Sequence, residues 1–362
     1  MTIIDKFFYL LQMAMGKVPT HSMNIAEAEW RQLHSMAIKQ SLLGVIFEGV
    51  QKLSEVQPEQ KPPLPLLYEW MGQCEMLKRQ NQQLNQQGRE LCHFFKREGI
   101  DSCILKGQGV ACLYENPASR QPGDIDIWVN ACRDDVVSMM RAKGVGVTVV
   151  DYVNCHAAFF KDTEVEVHFR PTWFYNPYVN RKVQRWIKRN RDAQMSNYDK
   201  EVGFYYPTIG FNLVFSLIHI YRHIFQEGIG LRQLMDYYFI LTHSSASERT
   251  EALATLKSFG LGKFAATVMY ILRRVFDVEE SLLLCEPNVK EGEFLLSEIL
   301  RGGNFGHYDD RNVGASIGNR FKRGLNNVKR NFRYLKRYPS EVAWMPVWKV
   351  WHWWWRKRNG YL

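Results

Sequence analysis

The stretch that most limits what this chain can become is Arg120-Gln-Pro-Gly-Asp-Ile-Asp-Ile-Trp-Val129, read together with Ile104-Leu-Lys-Gly-Gln-Gly-Val110 upstream. An apolar run enters a Lys-Gly turn. A helix-compatible piece follows, and a Pro-Gly turn then leads into a strand bearing two aspartates. Along Asp124–Val129 charge and bulk alternate with a period of two. Asp124 and Asp126 are therefore expected on one face, roughly 6–7 Å apart, with Ile125 and Ile127 on the other. Like charges held that close raise each other's pKa unless a cation lies between them. A short rigid pair of carboxylates suits Mg²⁺ combined with substrate phosphates. Two solvated aspartates on an edge strand are the plain alternative, and the flanking residues weigh against it.

Upstream, Ser102–Leu105 reads as a strand that ends in Lys106-Gly107-Gln108-Gly109. Glycine lets backbone N–H groups approach an anion, and the next helix would turn its N-terminus toward phosphate. Lys106 adds a point charge, and Arg120 a planar fork for phosphate oxygens. Downstream, Glu164-Val-Glu-Val-His-Phe169 alternates again. Val165 and Val167 face one way; Glu164, Glu166 and His168 face the other. Glu166 is the candidate third carboxylate. Ala157–Lys161, with His156 at its start, is expected to form a hairpin with this strand through Asp162-Thr163.

The rest reads mostly as helix. Ile25–Val50 has helix-forming composition with Asn24 as N-cap. Pro58–Pro65 is a link. Glu69–Glu98 is a long helix whose Trp70, Cys74, Leu77, Leu84, Leu91 and Phe95 fall near heptad spacing, interrupted by Asn81 and Gly88. It packs on its neighbours or forms a dimer seam. Ala131–Lys143 is a helix, Val147–Val153 a strand, and Tyr178–Asp192 a basic helix. Thr208–Gln226 is strongly apolar and carries His219 and His223 on one face. That spacing can ligate zinc, but no HExxH glutamate or third ligand accompanies it. The pair reads as a core pair or as cleft wall beside Asp124. Arg232 and Asp236, also four apart, can pair on one helix face. Gly302-Gly-Asn-Phe-Gly306 and the following His307–Asp310 form a loop, either a surface connection or a lid.

With 362 residues and 46% apolar side chains, the chain can bury a large core in two or three subdomains. Seven scattered cysteines without metal-ligand spacing point to reduced thiols and a cytoplasmic protein. Met1–Met15 lacks the marks of a signal peptide, and no apolar run is long enough to span a bilayer. The net charge is +10, yet the segment from Arg320 onward holds twelve basic residues and one acid, Glu341, so it accounts for the whole excess. A protein coated in nucleic acid is not favoured. Trp344–Trp355 holds six of the eleven tryptophans, beside Lys and Arg. Such a segment, Trp344–Tyr361, suits the inner membrane surface or a protein partner.

Gly-Asp-Ile-Asp-Ile after a glycine turn, with a third acid on a later strand, resembles the nucleotidyltransferase fold of the DNA polymerase β superfamily. The longer set is more specific. Leu-Lys-Gly (105–107), Tyr114, Arg120, Gly-Asp-Ile-Asp-Ile (123–127), Val-Glu-Val-His (165–168), Gly230-Leu-Arg-Gln-Leu-Met-Asp236 and Gly302–Gly306 resemble a bacterial nucleotidyltransferase-like family often found with surface-polysaccharide genes. The usual Gly-Ser pair after the first strand is replaced here by Lys106–Gly109. The third acid is glutamate rather than the commoner aspartate.

The resemblance implies an α+β fold. A small mixed-sheet core, 100–204, would lie between an N-terminal helical subdomain, 1–99, and a cleft-closing helical subdomain, 205–310. A basic, Trp-rich tail, 311–362, would follow. It implies transfer of NMP from an NTP to an unknown acceptor hydroxyl. Asp124, Asp126 and Glu166 would hold Mg²⁺, or Mn²⁺, in a two-metal site. Lys106, Gly107, Gln108, Gly109 and Arg120 would bind the triphosphate. His168 would orient Glu166 or meet the acceptor, and Arg232 or Asp236 would support the site. Two rivals remain: an inactive nucleotide-binding scaffold at the membrane, and a toxin-like nucleotidyltransferase acting on tRNA or protein.

Overall fold

In the computed structural model, residues 1–17, 22–309, 311, 331 and 333–361 are described. Four helices come first: α1 (Ile3–Ala14), α2 (Glu27–Lys39), α3 (Leu43–Val56) and the 34-residue α4 (Leu64–Arg97). The expected helix from Ile25 to Val50 is two helices, because Ser41 takes a positive φ of 54° between them. Its start lies at Glu27, not behind an Asn24 cap; Glu29 accepts the Ala26 N–H instead.

The α/β unit is β1 (Ser102–Leu105), α5 (Lys106–Ala111), β2 (Ile125–Val129), α6 (Arg133–Ala142), β3 (Gly146–Val150), β4 (Asn154–Ala158) and β5 (Val165–His168). The sheet order is β1-β2-β5-β4-β3. The β2–β5 pair is parallel and the other pairs are antiparallel, so the sheet is mixed. Several sequence boundaries move, and the strand expected at Val147–Val153 is Gly146–Val150. The hairpin strand is Asn154–Ala158 rather than Ala157–Lys161, because its residues must face Val165–His168 in register. The helix between Lys106 and Arg120 is only a six-residue turn, which a 3-10 turn at Pro117–Ser119 follows.

Helices resume with α7 (Pro177–Ser196), and the small β6 (Tyr198–Asp199) and β7 (Phe204–Tyr205) pair. Then follow α8 (Ile209–Gln226), α9 (Leu231–Thr242), α10 (Ala246–Ser258), α11 (Gly262–Phe276), α12 (Val289–Gly302) and α13 (Pro339–Arg358). Among the described residues no helix is long and apolar enough to cross a membrane.

One apolar core runs through α1–α3 and α8–α12, and a second lies beneath the sheet. The beam between them is α4. Its Trp70 and Leu77 sit in the first core, and Leu84, Leu91 and Phe95 in the second. Each such side chain contributes roughly 1.5–3 kcal/mol of burial. The two heptad breaks have local causes. Asn81 is buried and donates from Nδ2 to the carbonyls of Ala118 (3.1 Å) and Arg120 (2.8 Å). Gly88 leaves room for the Phe204 ring, which a Cβ would meet at 3.4 Å. At the other end of the chain order, α1 lies between α3 and α11, with Gln12 Nε2 on the Val275 carbonyl and Arg274 on Asp5.

The tail helix α13 packs through Met345 and Trp348 on Trp173, Tyr175 and Val153, and His352 pairs with Asp151. Part of the tail's positive charge is spent inside the molecule, since Arg333 pairs with Glu298 and Arg337 with Glu291. Arg320, Lys322, Arg323, Lys329 and Arg330, and the loop residue Asp310, lie outside the described residues.

Candidate active site

The site grows from the sheet register. Asp126 lies opposite Glu166 across the parallel β2–β5 pair, and His156 lies opposite Glu166 across β4. Period-two alternation then gives the sheet one polar face, Asp126, Asn154, His156, Glu166 and His168, and one apolar face, Ile125, Ile127, Cys155, Val165 and Val167, set into the core. Asp124 falls one residue before β2, on the turn after Gly123. It shares the cleft with Asp126 but not the strand.

Asp126 is buried, and its Oδ1 accepts from His168 Nε2 at 2.7 Å and from Lys106 Nζ at 2.8 Å. His168 Nε2 also lies 3.2 Å from Glu166 Oε2, which Asn154 Nδ2 further supports. One ligand atom each from Asp126, Glu166 and His168 falls within 4.8 Å of the others, and among the described residues this is the sole such convergence of metal-ligating groups. Lys106 reaches Asp126 from a bent backbone: its φ is +43° and that of Gly107 +35°. A left-handed lysine is uncommon, and glycine behind it lets the turn close.

The charges settle one another. Burial works against ionised Asp126, but the Lys106 charge and the His168 hydrogen bond hold its pKa below the ordinary value. Burial would push His168 down; its bonds to Asp126 and Glu166 prevail and raise it to about 9. Asp124 is the uncompensated member. It is exposed at the cleft and makes no ion pair among the described residues, the Lys106 charge acting on it only in part. The Asp126 charge, with desolvation behind it, lifts it to about 6.

A cavity of about 210 Å³ lies over these groups, lined by Lys106, Gly107, Arg120, Asp124, Asp126, Glu166, His219, His223, Arg232 and Asp236. Gln108 and Gly109 do not line it. Gln108 is buried against α4, with Nε2 2.7 Å from Asn85 Oδ1, and Gly109 packs on the Ile104 carbonyl, where a Cβ would come within 2.4 Å. Arg120 reaches the cavity wall with its donors engaged. Nε and Nη2 bond Asp236 Oδ1 and Oδ2 at 2.8 Å each, and Nη1 bonds the Gln121 carbonyl. Tyr114 Oη donates to the same Asp236 at 2.6 Å. Asp236 thus pairs with Arg120 on the α/β unit rather than with Arg232 on its own helix. Arg232 is left with an Nε lacking a hydrogen-bond partner, its guanidinium 5.6 Å from the Phe305 ring.

His219 and His223 stand edge to face with ring centroids 4.2 Å apart. Burial depresses both, His223 to about 3, so they are neutral cavity wall. Residues that motif reading passed over include Asn154 and Arg222, whereas Phe305 lies in the Gly302–Gly306 loop read as a connection or a lid and lines the cavity. Asn154 was legible in principle, because it stands two residues before His156 on the same alternating face. Arg222 comes from the packing of α8, which leaves no local signature.

A polar sheet face carrying convergent acids, overhung by cations and enclosed by helices, has the make-up of a catalytic cleft. A family model described as uncharacterised nucleotidyltransferase matches residues 26–277, and the chain belongs to that family. No curated protein matches the chain. A solved structure, an antigenic nucleotidyltransferase-like protein from Paracoccidioides brasiliensis, is similar at 12% identity and a TM-score of 0.35, over 58% of this chain and 96% of that one. So slight a likeness decides nothing further.

Proposed function

We propose that this enzyme transfers a nucleoside monophosphate from an NTP to an acceptor hydroxyl, in surface-polysaccharide metabolism as the family resemblance suggests. The reading is carried by the meeting of Asp126, Glu166 and His168 at the base of a cavity whose wall also holds Asp124, Lys106 and Arg232. The donor set fits Mg²⁺ or Mn²⁺: carboxylate oxygens are the ligands such ions prefer, and Asp124 is a carboxylate in want of a cation. Asp124, Asp126 and Glu166 would hold the metal, and His168 would orient the two strand acids. When bound, the ion neutralises charge on the triphosphate and the leaving pyrophosphate.

The chain's own groups do the rest. Lys106 and Arg232 take phosphate oxygens, and Gly107 lets the backbone come close. Arg120, fastened to Asp236, holds α9 and so positions Arg232. The acceptor oxygen forms a bond to the α-phosphorus as that phosphorus loses its bond to the bridging oxygen of the β-phosphate. The hydroxyl proton passes to Glu166, and pyrophosphate departs with the bonding pair. Isothermal titration with each NTP, with and without Mg²⁺, tests this. Magnesium-dependent binding to wild type that disappears in Asp124→Asn is expected. Failure of every NTP to bind the folded protein would leave the inactive-scaffold reading in its place.

A separate observation concerns where the enzyme works. Val347, Val350, Trp351 and Trp354 repeat every three or four residues along the outer face of α13 and are exposed, Val350 to 70%. Arg356, Lys357 and Arg358 end the helix. Exposed tryptophan and valine beside a basic cluster match an anionic membrane surface in both polarity and charge. The protein is expected to float with phosphatidylglycerol-containing vesicles, and Val350→Ser/Trp354→Ser to remain in solution with an unchanged melting temperature. Equal flotation of the variant, or none by wild type, removes the membrane from this account.

A further inference from the structure

The cleft continues beyond the carboxylates. A second cavity, of about 480 Å³, lies between the β4–β5 region, α8 and α13. Lys106, Glu166, His219, His223 and Glu227 line both cavities, so the two meet along this seam, with Glu166 at the sheet. The far wall is a continuous stack. The Arg222 guanidinium sits 4.1 Å over the Trp173 ring, Trp173 stacks on Trp348 at 4.0 Å and 17°, and Trp348 stacks on His352 at 4.4 Å.

Arg222 is the unsettled charge of this wall. Among the described residues no carboxylate makes an ion pair with it, and the acids nearby have other partners: Glu166 meets His168 and Asn154, and Glu227 lies beside His223. Asp151 is held by His352, and the buried Glu341 accepts the Tyr175 N–H at 2.7 Å. Desolvation lowers Arg222 to about 10, which leaves it cationic at neutral pH. A half-buried cation without an ion-pair partner favours an anion supplied from the cavity. His168 adds a second sign. The ring is buried, it lines this same cavity, and its Nδ1 has no hydrogen-bond partner.

We infer that the second cavity is the acceptor site, and that it takes a hydroxyl compound bearing a phosphate or carboxylate, the anion on Arg222 and the hydroxyl at Glu166. The assignment rests on the nucleotidyl-transfer reading, in which Glu166 receives the hydroxyl proton. The volume falls in the range of small-molecule sites and would admit a compound the size of a monosaccharide phosphate. Aromatic rings around a fixed cation suit a polar ring with one charged substituent. Entry from opposite sides of Glu166 would bring the acceptor oxygen to the α-phosphate without crowding the triphosphate.

The test uses the full chain, loaded with a non-hydrolysable NTP analogue and Mg²⁺, and also unloaded. Each form is titrated with glucose 6-phosphate, glucuronate and glucose, read by tryptophan fluorescence, since Trp173 and Trp348 form the wall. One or both charged sugars should bind saturably, and glucose at least tenfold more weakly. Arg222→Met should weaken the charged ligand about 10–100-fold, as loss of a charge-assisted hydrogen bond does, while the affinity for the NTP analogue stays within twofold. Arg222→Lys, which keeps the charge and part of the Trp173 contact, should recover much of the loss and guards against misfolding. Phosphate against carboxylate identifies the anion. Equal binding of glucose, no binding of any sugar, or an Arg222→Met variant as tight as wild type overturns the assignment. Failure of the NTP analogue to bind with sugar binding intact would instead remove the transfer reading and keep an anion pocket.

Discussion

Asp236→Asn is expected to lower the stability of the protein by about 3–5 kcal/mol, the usual cost of leaving a buried ion without its partner. Arg120 is 4% exposed, and two of its nitrogens are spent on that one carboxylate. The single amide oxygen of asparagine cannot accept from Tyr114 and from both Arg120 nitrogens as the carboxylate does. Tyr114→Phe alone removes one hydrogen bond and should cost only about 1 kcal/mol. Urea unfolding of Asp236→Asn, Arg120→Met and the double variant separates the contributions. Strong coupling is expected, with the double variant less destabilised than the two single losses combined. A loss below about 1 kcal/mol for Asp236→Asn would mean the pair is solvated and does not fasten α9 to the α/β unit.

The second large effect is on turnover, and it distinguishes two aspartates that the motif treats alike. The sequence alone predicts that Asp124→Asn and Asp126→Asn both abolish activity at near wild-type stability. Asp124→Asn should do so: activity falls about 10³-fold or more, as when a preorganised electrostatic contact is removed. Its effect on melting has the opposite sign. Asp124 has a pKa of about 6 in the folded chain against an ordinary 3.8. A raised acid favours folding below its unfolded pKa, and that contribution is lost as pH rises through about 6. At pH 7.5, with chelator present, Asp124→Asn should therefore melt at or above the wild-type temperature, with the gap closing toward pH 4. Asp126 is the reverse case. Its pKa is depressed, so its stabilisation is present above the unfolded value and fades in acid. Asp126→Asn leaves Lys106 and His168 as buried cations and should lower both turnover and melting temperature. Retained turnover in Asp124→Asn, or a lower melt for it at pH 7.5, would refute the assignment of Asp124 as the uncompensated ligand.

Local pattern exposed much of this molecule. Period-two alternation in 124–129 and 164–169 gave the β2 and β5 strands, the shared face of Asp126, Glu166 and His168, and the apolar underside. Alternation could not reveal that the Pro122-Gly123 turn takes up Asp124 and leaves it off the strand. Pairings across the chain were equally hidden. Arg120 and Asp236 are 116 residues apart, and the i,i+4 rule offered Arg232 as the closer partner. Gln108 and Gly109 looked like phosphate cradle because glycine-rich turns allow close approach; in the fold, that approach is to α4 and β1. The second cavity is the least legible feature, since it exists only where α8, the sheet and the tail helix come together.

The lodging of α1 between α3 and α11 bears on how the chain is made. During synthesis, α1 meets α3 almost at once. Its other contact surface waits for Gly262–Phe276, roughly 10–50 s later at ordinary elongation rates. Until then Phe7 and Phe8, fully buried at the end, belong to a half-docked helix on the nascent chain. Ribosome stalling before α11 emerges would therefore expose an apolar surface at the start of the chain, and chaperone demand should follow elongation speed more closely than native stability.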